Sequence, residues 1–318
     1  CGIVGFRPSV SVIAHPTRPL GWSGISVLGP MARTVDDLIL MLDVCQGFDP
    51  DDPLSALVPE GRFKALPETA LGDLRVGYSE DFGGAPVDPS IRATFRSRLS
   101  AIAPHVASCD PVDLNLGEMD RTFDVLRAES FLAGFGEAIE ATPDAFGTFI
   151  TRNVALGHTF SLADRAWAHA EQTRILRRFN AVIADLDVIL LPTAPVSPFP
   201  WTQPHVAEID GKAQDIYYRW LALSYRGSLM GGPSLSLPTG KDPQGMPFGL
   251  QMLGPIGGDA ALLAAAKSLE ALLAARPETA RPRPDLDNIA HSTIDLRSIV
   301  THPPLLAGGA QSNLRMGV

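Results

Sequence analysis

Gly21-Trp22-Ser23-Gly24-Ile25-Ser26-Val27-Leu28-Gly29-Pro30-Met31-Ala32-Arg33-Thr34-Val35-Asp36-Asp37 is the stretch on which the reading of this chain turns. Its last residues announce a helix. Thr34 can cap a helix start with its hydroxyl, Asp37 stands three residues on, and Leu38, Ile39, Met41, Leu42, Val44 and Cys45 follow. Those apolar residues fall on most sides of the helix, which predicts burial against a sheet. Gly47 should stop it, and Asp49-Pro50-Asp51-Asp52-Pro53-Leu54-Ser55 reads as a turn-rich loop whose acids are solvated rather than metal-binding.

Outward from this point the chain alternates strand and helix signals. Leu74–Tyr78 is a strand candidate. Asp88-Pro89 gives an N-cap and first-turn proline for a helix to about Ala103, and Val106–Leu114 returns as an edge strand. Asp120 to about Arg178 reads as helical, with breaks near Pro143 and Gly157. Asp187-Val188-Ile189-Leu190-Leu191-Pro192 is an uninterrupted apolar run, as expected of a strand buried on both faces. Gly231–Gly240 and Pro247–Gly254 flank the turn Asp242-Pro243-Gln244-Gly245, which suits a hairpin, followed by an Ala/Leu-rich helix over 260–275. Beyond Arg276 the pattern lapses into Arg-Pro-Arg-Pro and scattered polar residues, so 276–318 reads as an extended or disordered tail.

Composition removes whole classes of function. At 318 residues, 45% hydrophobic and 19% charged, the chain can bury a large core. A net charge of -9 argues against a nucleic-acid partner, because phosphate binding needs a basic face. Three widely spaced cysteines, Cys1, Cys45 and Cys109, support neither a disulfide framework nor a metal knuckle and point to a reducing, cytoplasmic setting. No apolar run reaches bilayer length. The seven histidines are dispersed without His-Glu-x-x-His, and no Walker or Gly-x-Gly-x-x-Gly loop occurs, so neither a metal nor another cofactor is expected. Gly254-Pro255-Ile256-Gly257-Gly258 reads as an ordinary strand-to-helix turn.

The first residues, Cys1-Gly2-Ile3-Val4-Gly5-Phe6, admit two enzymes. A cysteine at position 1 could act as nucleophile, with its own α-amine as base, in an N-terminal-nucleophile glutaminase. The Arg-Gly-x-Asp-Ser, His-Thr-Arg and Asn-Gly segments of that family are lacking. Phe6-Arg7-Pro8-Ser9 and Gly21–Asp37, with Gly29-Pro30-Met31-Ala32-Arg33-Thr34-Val35, instead resemble the amidase signature hydrolases almost residue for residue. The Asp-Pro-rich loop, Pro192-Thr193-Ala194-Pro195 and the two C-terminal strands are similar as well, so the resemblance covers most of residues 1–275.

That resemblance implies an α/β fold with a mixed β-sheet covered by helices on both faces, here an incomplete amidase domain over 1–275. It implies hydrolysis of a small-molecule amide by a Ser, cis-Ser and Lys triad, with backbone amides for the oxyanion. The triad belongs to a segment that precedes Cys1-Gly2, so no catalytic residue is assigned in this chain and the chain alone is expected to be inactive. Ser9, Ser23 and Ser26 lack a nucleophile elbow, and Lys64, Lys212, Lys241 and Lys267 stand in loop or surface contexts. Cys1 is then a buried small hydrophobe. Thr193, Met230 and Gly231 are the expected pocket walls, with Trp201 or Trp22 as an apolar lid. The positions that hold the charges of free glutamine in transamidation enzymes fall on Gln172 and Gly258, which are neutral; a small gap would shift them to Arg174 and Asp259. An amidase for neutral or aromatic amides, as a monomer or homodimer, is therefore the leading reading. The glutaminase component of a transamidation complex is the alternative, and an inactive degenerate paralogue the non-enzymatic one.

Overall fold

A computed structural model describes residues 1–57, 59, 61–200 and 202–283. In chain order these form β1 (Val4–Arg7), β2 (Met31–Ala32), α1 (Val35–Cys45), β3 (Arg75–Tyr78), α2 (Pro89–Ile102), β4 (Ser108–Pro111) and α3 (Met119–Ala141). Then come α4 (Thr148–Thr159), α5 (Leu162–Ile183), β5 (Val188–Pro192), a small ribbon of β6 (Glu208–Ile209) and β7 (Lys212–Ala213), and α6 (Ala222–Ser228). The hairpin β8 (Ser234–Lys241) and β9 (Pro247–Leu253) and helix α7 (Asp259–Ala274) complete the fold.

Seven strands make one mixed sheet in the order β2-β1-β8-β9-β5-β3-β4. β3 pairs in parallel with β4 and β5, which the intervening helices allow, whereas the pairs β5–β9, β9–β8, β8–β1 and β1–β2 are antiparallel. Every residue of β5 is buried, as its unbroken apolar run requires. The hairpin turn is built by Asp242, whose carboxylate accepts from the Gln244 and Met246 amides at 3.0 and 2.9 Å. Helices α1, α2 and α7 pack on one sheet face, where Leu235, Leu237, Leu250 and Met252 are buried. Over the other face lies α6, tied to β9 by Gln251 Nε2 donating to the Leu223 carbonyl at 2.9 Å and to α5 by Gln172 Nε2 donating to the Leu229 carbonyl. The expected α/β architecture is the observed one.

Local signals held where capping chemistry set them. Thr34 Oγ1 accepts from the Asp37 amide, Asp88 Oδ1 from the Ser90 amide, and Ser161 and Asp164 form a reciprocal capping box. That box places the break between α4 and α5 at residues 160–161, later than Gly157, which stays inside α4.

Two expectations fail for long-range reasons. α1 buries only Val35, Leu38 and Leu42; Leu40, Met41 and Val44 are exposed because α7 and β1 cover a single face. Asp52 is not solvated. It is buried, accepts from the His15 and Leu54 amides at 2.8 and 3.0 Å and stands 3.6 Å from the buried Arg18. After α7, Thr279 is buried and its hydroxyl donates to the Leu273 carbonyl at 2.6 Å, so residues 276–282 continue against the body. The rest of the 276–318 tail lies outside the described residues. No helix among the described residues is long and apolar enough to cross a membrane.

Candidate active site

One face of the β1-β8-β9 sheet is made of small and polar residues instead of the bulky apolar ones that cover its back. Residues opposite one another in antiparallel strands share a face, and the register sets Met31, Gly5, Ser236 and Gln251 in one row, with Pro238 and Gly249 in the next. Thr193 reaches the second row from β5, its amide donating to the Gly249 carbonyl at 3.0 Å. Its hydroxyl meets Ser236 Oγ at 2.9 Å. Gly249 makes that contact possible: a Cβ there would stand 2.8 Å from Thr193 Oγ1 and 3.1 Å from Ser236 Oγ.

Above this floor lies a groove of about 450 Å³. Its walls are apolar, contributed by Met31, Ile91, Val196, Phe199, Trp220 and Phe248. Phe199 and Trp220 close one side as a T-shaped pair 5.2 Å apart. Among the described residues Asp242 is the one charged side chain on the lining, and its carboxylate is already engaged by two backbone amides and by the Ser197 hydroxyl. These lining side chains therefore present no free charge to a ligand. The groove continues past Gly5, Met31, Thr193 and Ser236 into a more polar space of about 360 Å³ bordered by Ser224, Ser228, Ser234 and Gln251. Arg7 borders it too, but is clamped on the Gly24 and Gly232 carbonyls at 2.9 and 3.1 Å. Burial, with repulsion from Arg18, pulls its pKa down to about 10.

Of the residues expected as walls, Thr193 borders both parts of the groove. Met230 and Gly231 sit elsewhere, on the turn before β8; Met230 is buried and the Gly231 carbonyl accepts from the Val10 amide, with φ at 70°. Trp22 is 82% exposed and borders neither space, and Trp201 lies outside the described residues. Cys1 is not the core residue that its type suggests. Gly2, at a φ of 67°, turns the chain off the sheet just before β1, and leaves Cys1 exposed on the groove's rim. Ser236, Gly249 and Asp242 lie in the expected hairpin and Ser197, Phe199 and Trp220 in no motif, so no motif marks any of them in advance as a groove residue. The alternation Ser234-Leu235-Ser236-Leu237 is the available signal, because it gives a buried strand one polar face.

Nor do the charges that could hold a free amino acid meet here. Gln172 serves α6, Gly258 begins α7, Arg174 is paired with Glu171 at 2.5 Å, and Asp259 is buried against the Ser9 amide at 2.7 Å. A Gly249→Ala variant should separate Thr193 from Ser236 and fill the floor, weakening groove ligands by about tenfold while costing about 1–2 kcal/mol of stability. Titration of an aryl amide against both proteins, beside a urea melt, measures the two effects.

The chain has relatives. Residues 1–263 match the Amidase family. The A-type component of a glutamyl-tRNA(Gln) amidotransferase from Synechococcus is 26% identical over 311 residues, covering 87% of this chain and 62% of that protein. Its counterpart from Chloroflexus aggregans is 28% identical, over 83% of this chain and 57% of its own length. Among solved structures a bacterial aryl acylamidase of the amidase signature family superposes with a TM-score of 0.75 at 23% identity, over 85% of this chain and 58% of that one. The chain thus spans about three-fifths of the length of the curated relatives it matches. The family match across the sheet, its hairpin and part of α7 makes this chain a member of the amidase family.

Proposed function

We propose that this chain forms the sheet floor and substrate groove of an amidohydrolase that cleaves a linear amide whose bound part is uncharged and apolar or aromatic. The Ser–cis-Ser–Lys triad is contributed by residues outside these 318. In that reaction the serine oxygen adds to the amide carbon, backbone amides stabilise the oxyanion, and the serine proton passes through the cis-serine and lysine to the departing amine. Water then hydrolyses the acyl-serine ester to the acid. The observation that carries the substrate class is the groove itself, apolar on its walls, with its one carboxylate already saturated. The three free cysteines support a reducing, cytoplasmic setting.

The relatives named as glutamyl-tRNA(Gln) amidotransferase components favour a second reading, the glutaminase of a transamidation complex. Against it stands the groove lining: among the described residues its charged side chains are Asp242, engaged by two amides and Ser197, and Arg7 at the polar end, clamped on backbone carbonyls, so no free cation and carboxylate face the glutamine zwitterion together.

The purified 318-residue chain, and its Cys1→Ala variant, should release no amine from acetanilide and no ammonia from L-glutamine. Acetanilide should nonetheless bind saturably and quench Trp220 emission, and glutamine should not compete with it. Hydrolysis lost on Cys1→Ala would reinstate the thiol nucleophile, and glutamine binding in the groove would favour the transamidation reading.

A further inference from the structure

A second cavity, of about 450 Å³, lies where the β8–β9 hairpin meets the turn after α7. Arg98, Lys241, Glu278 and Arg281 line it with Gly240 and Pro282. Arg98 projects from α2 and is 5% exposed. Its Nε donates to the Thr239 carbonyl at 2.7 Å, its Nη2 to the Lys241 carbonyl at 2.9 Å and its Nη1 to Ser97 Oγ at 3.4 Å. All three acceptors are neutral.

Among the described residues no carboxylate stands within 4.0 Å of this guanidinium; Arg18 and Arg226, likewise buried, each have an aspartate, while Arg7, like Arg98, is held by carbonyls. A buried cation left uncompensated is costly. Desolvation pulls its pKa down, and the more distant Glu278 only partly opposes that. Among the described residues three cations against one carboxylate leave the cavity with a surplus of two positive charges. Its shape is fixed by close packing: Gly240 has a φ of 75°, and a Cβ there would stand 2.1 Å from the Glu278 carbonyl oxygen and 3.1 Å from Arg98 Nη2.

We propose that this cavity is a binding site for a small oxyanion, a carboxylate or phosphate group, held by Arg98, Lys241 and Arg281. Planar guanidinium donors match the paired oxygens of either group. An anion there completes the charge balance that the described side chains leave open at Arg98. The site lies behind the hairpin whose front forms the groove, and it does not depend on the amide reading.

Titrating the full chain with inorganic phosphate at constant ionic strength, with chloride as balance, should move the amide resonances of Gly240, Lys241 and Ala280 saturably. Lys241→Gln/Arg281→Gln alters side chains at the cavity mouth and should weaken binding about tenfold or more, whereas Glu278→Gln removes the opposing charge and should tighten it about threefold. Arg98→Gln should abolish binding; because it is buried, the mouth variants decide the matter if it misfolds. A parallel acetate titration tells the sources apart: saturation by acetate marks a carboxylate site, and saturation by phosphate alone marks a phosphoryl site. Non-saturating shifts, equal shifts with chloride, or an unchanged Kd in the double variant would overturn the proposal.

Discussion

An Asp120→Asn variant is expected to unfold with a free energy about 3 kcal/mol lower than the parent, the low end for a broken buried pair because Asp120 keeps partial contact with solvent. Its carboxylate accepts two bonds from Arg226, from Nε and Nη2, both at 2.8 Å, and one from the Tyr225 hydroxyl at 2.6 Å. Arg226 is 7% exposed and also donates to the Phe82 carbonyl at 2.7 Å. Asparagine would leave that guanidinium charged, buried and unmatched. The pair joins α3 to α6, so the loss should reach Ser224, Ser228 and the polar end of the groove as well.

The same group sets a pH dependence. Burial alone would raise the Asp120 pKa, but bonds and charge from Arg226, with the Tyr225 bond and the Arg219 charge, hold it below the usual aspartate value. A depressed carboxylate contributes its stability above the unfolded pKa, near 4, and loses it as pH falls through the folded value. Urea midpoints of the parent should therefore decline more steeply below about pH 4 than those of Asp120→Asn. Equal slopes, or a loss below about 1 kcal/mol at pH 7, would show that the pair carries little.

Much of this architecture is legible in the sequence because its signals are local. A capping hydroxyl at Thr34, a first-turn proline at Pro89, five apolar residues over Val188–Pro192 and an Asp-Pro-Gln-Gly turn each act within a few residues. What depends on distant partners is not. Leu40 and Leu42 differ by two positions and are chemically alike, yet only Leu42 meets a covering element. Asp52 reads like its exposed neighbour Asp51 until His15 and Arg18, nearly forty residues earlier in the chain, fold over it. The groove is the least legible part, since its floor depends on Thr193, Ser236 and Gly249 converging through strand register, which a motif within one strand does not reveal. Met230 and Gly231 are near β8 in sequence, but the chain turns at Gly231 before the strand begins and carries both away from the groove.

Gly29→Ala should cost roughly 3 kcal/mol or more, beyond the ordinary range for one added methyl group, because no side-chain rearrangement can make room for it. An ideal Cβ at Gly29 stands 1.8 Å from the Phe6 carbonyl oxygen and 3.1 Å from Pro8 Cδ. The obstacle is the backbone of β1 itself. One residue on, the Pro30 carbonyl accepts from the Phe6 amide at 3.0 Å, and Met31 and Ala32 pair with Gly5 and Val4. Relief of the clash must therefore pull β2 away from β1, take Met31 out of the groove wall and unseat the Thr34 cap that starts α1. Glycine is demanded here by the close approach of two backbone segments, since no positive φ is involved. In a urea melt the midpoint should fall sharply, and aryl-amide binding should weaken even under conditions where the variant remains folded. A variant that melts with the parent and binds equally well would mean that β1 and the Gly29-Pro30-Met31-Ala32 segment can separate at little cost, and that the motif's glycine has some other reason to be there.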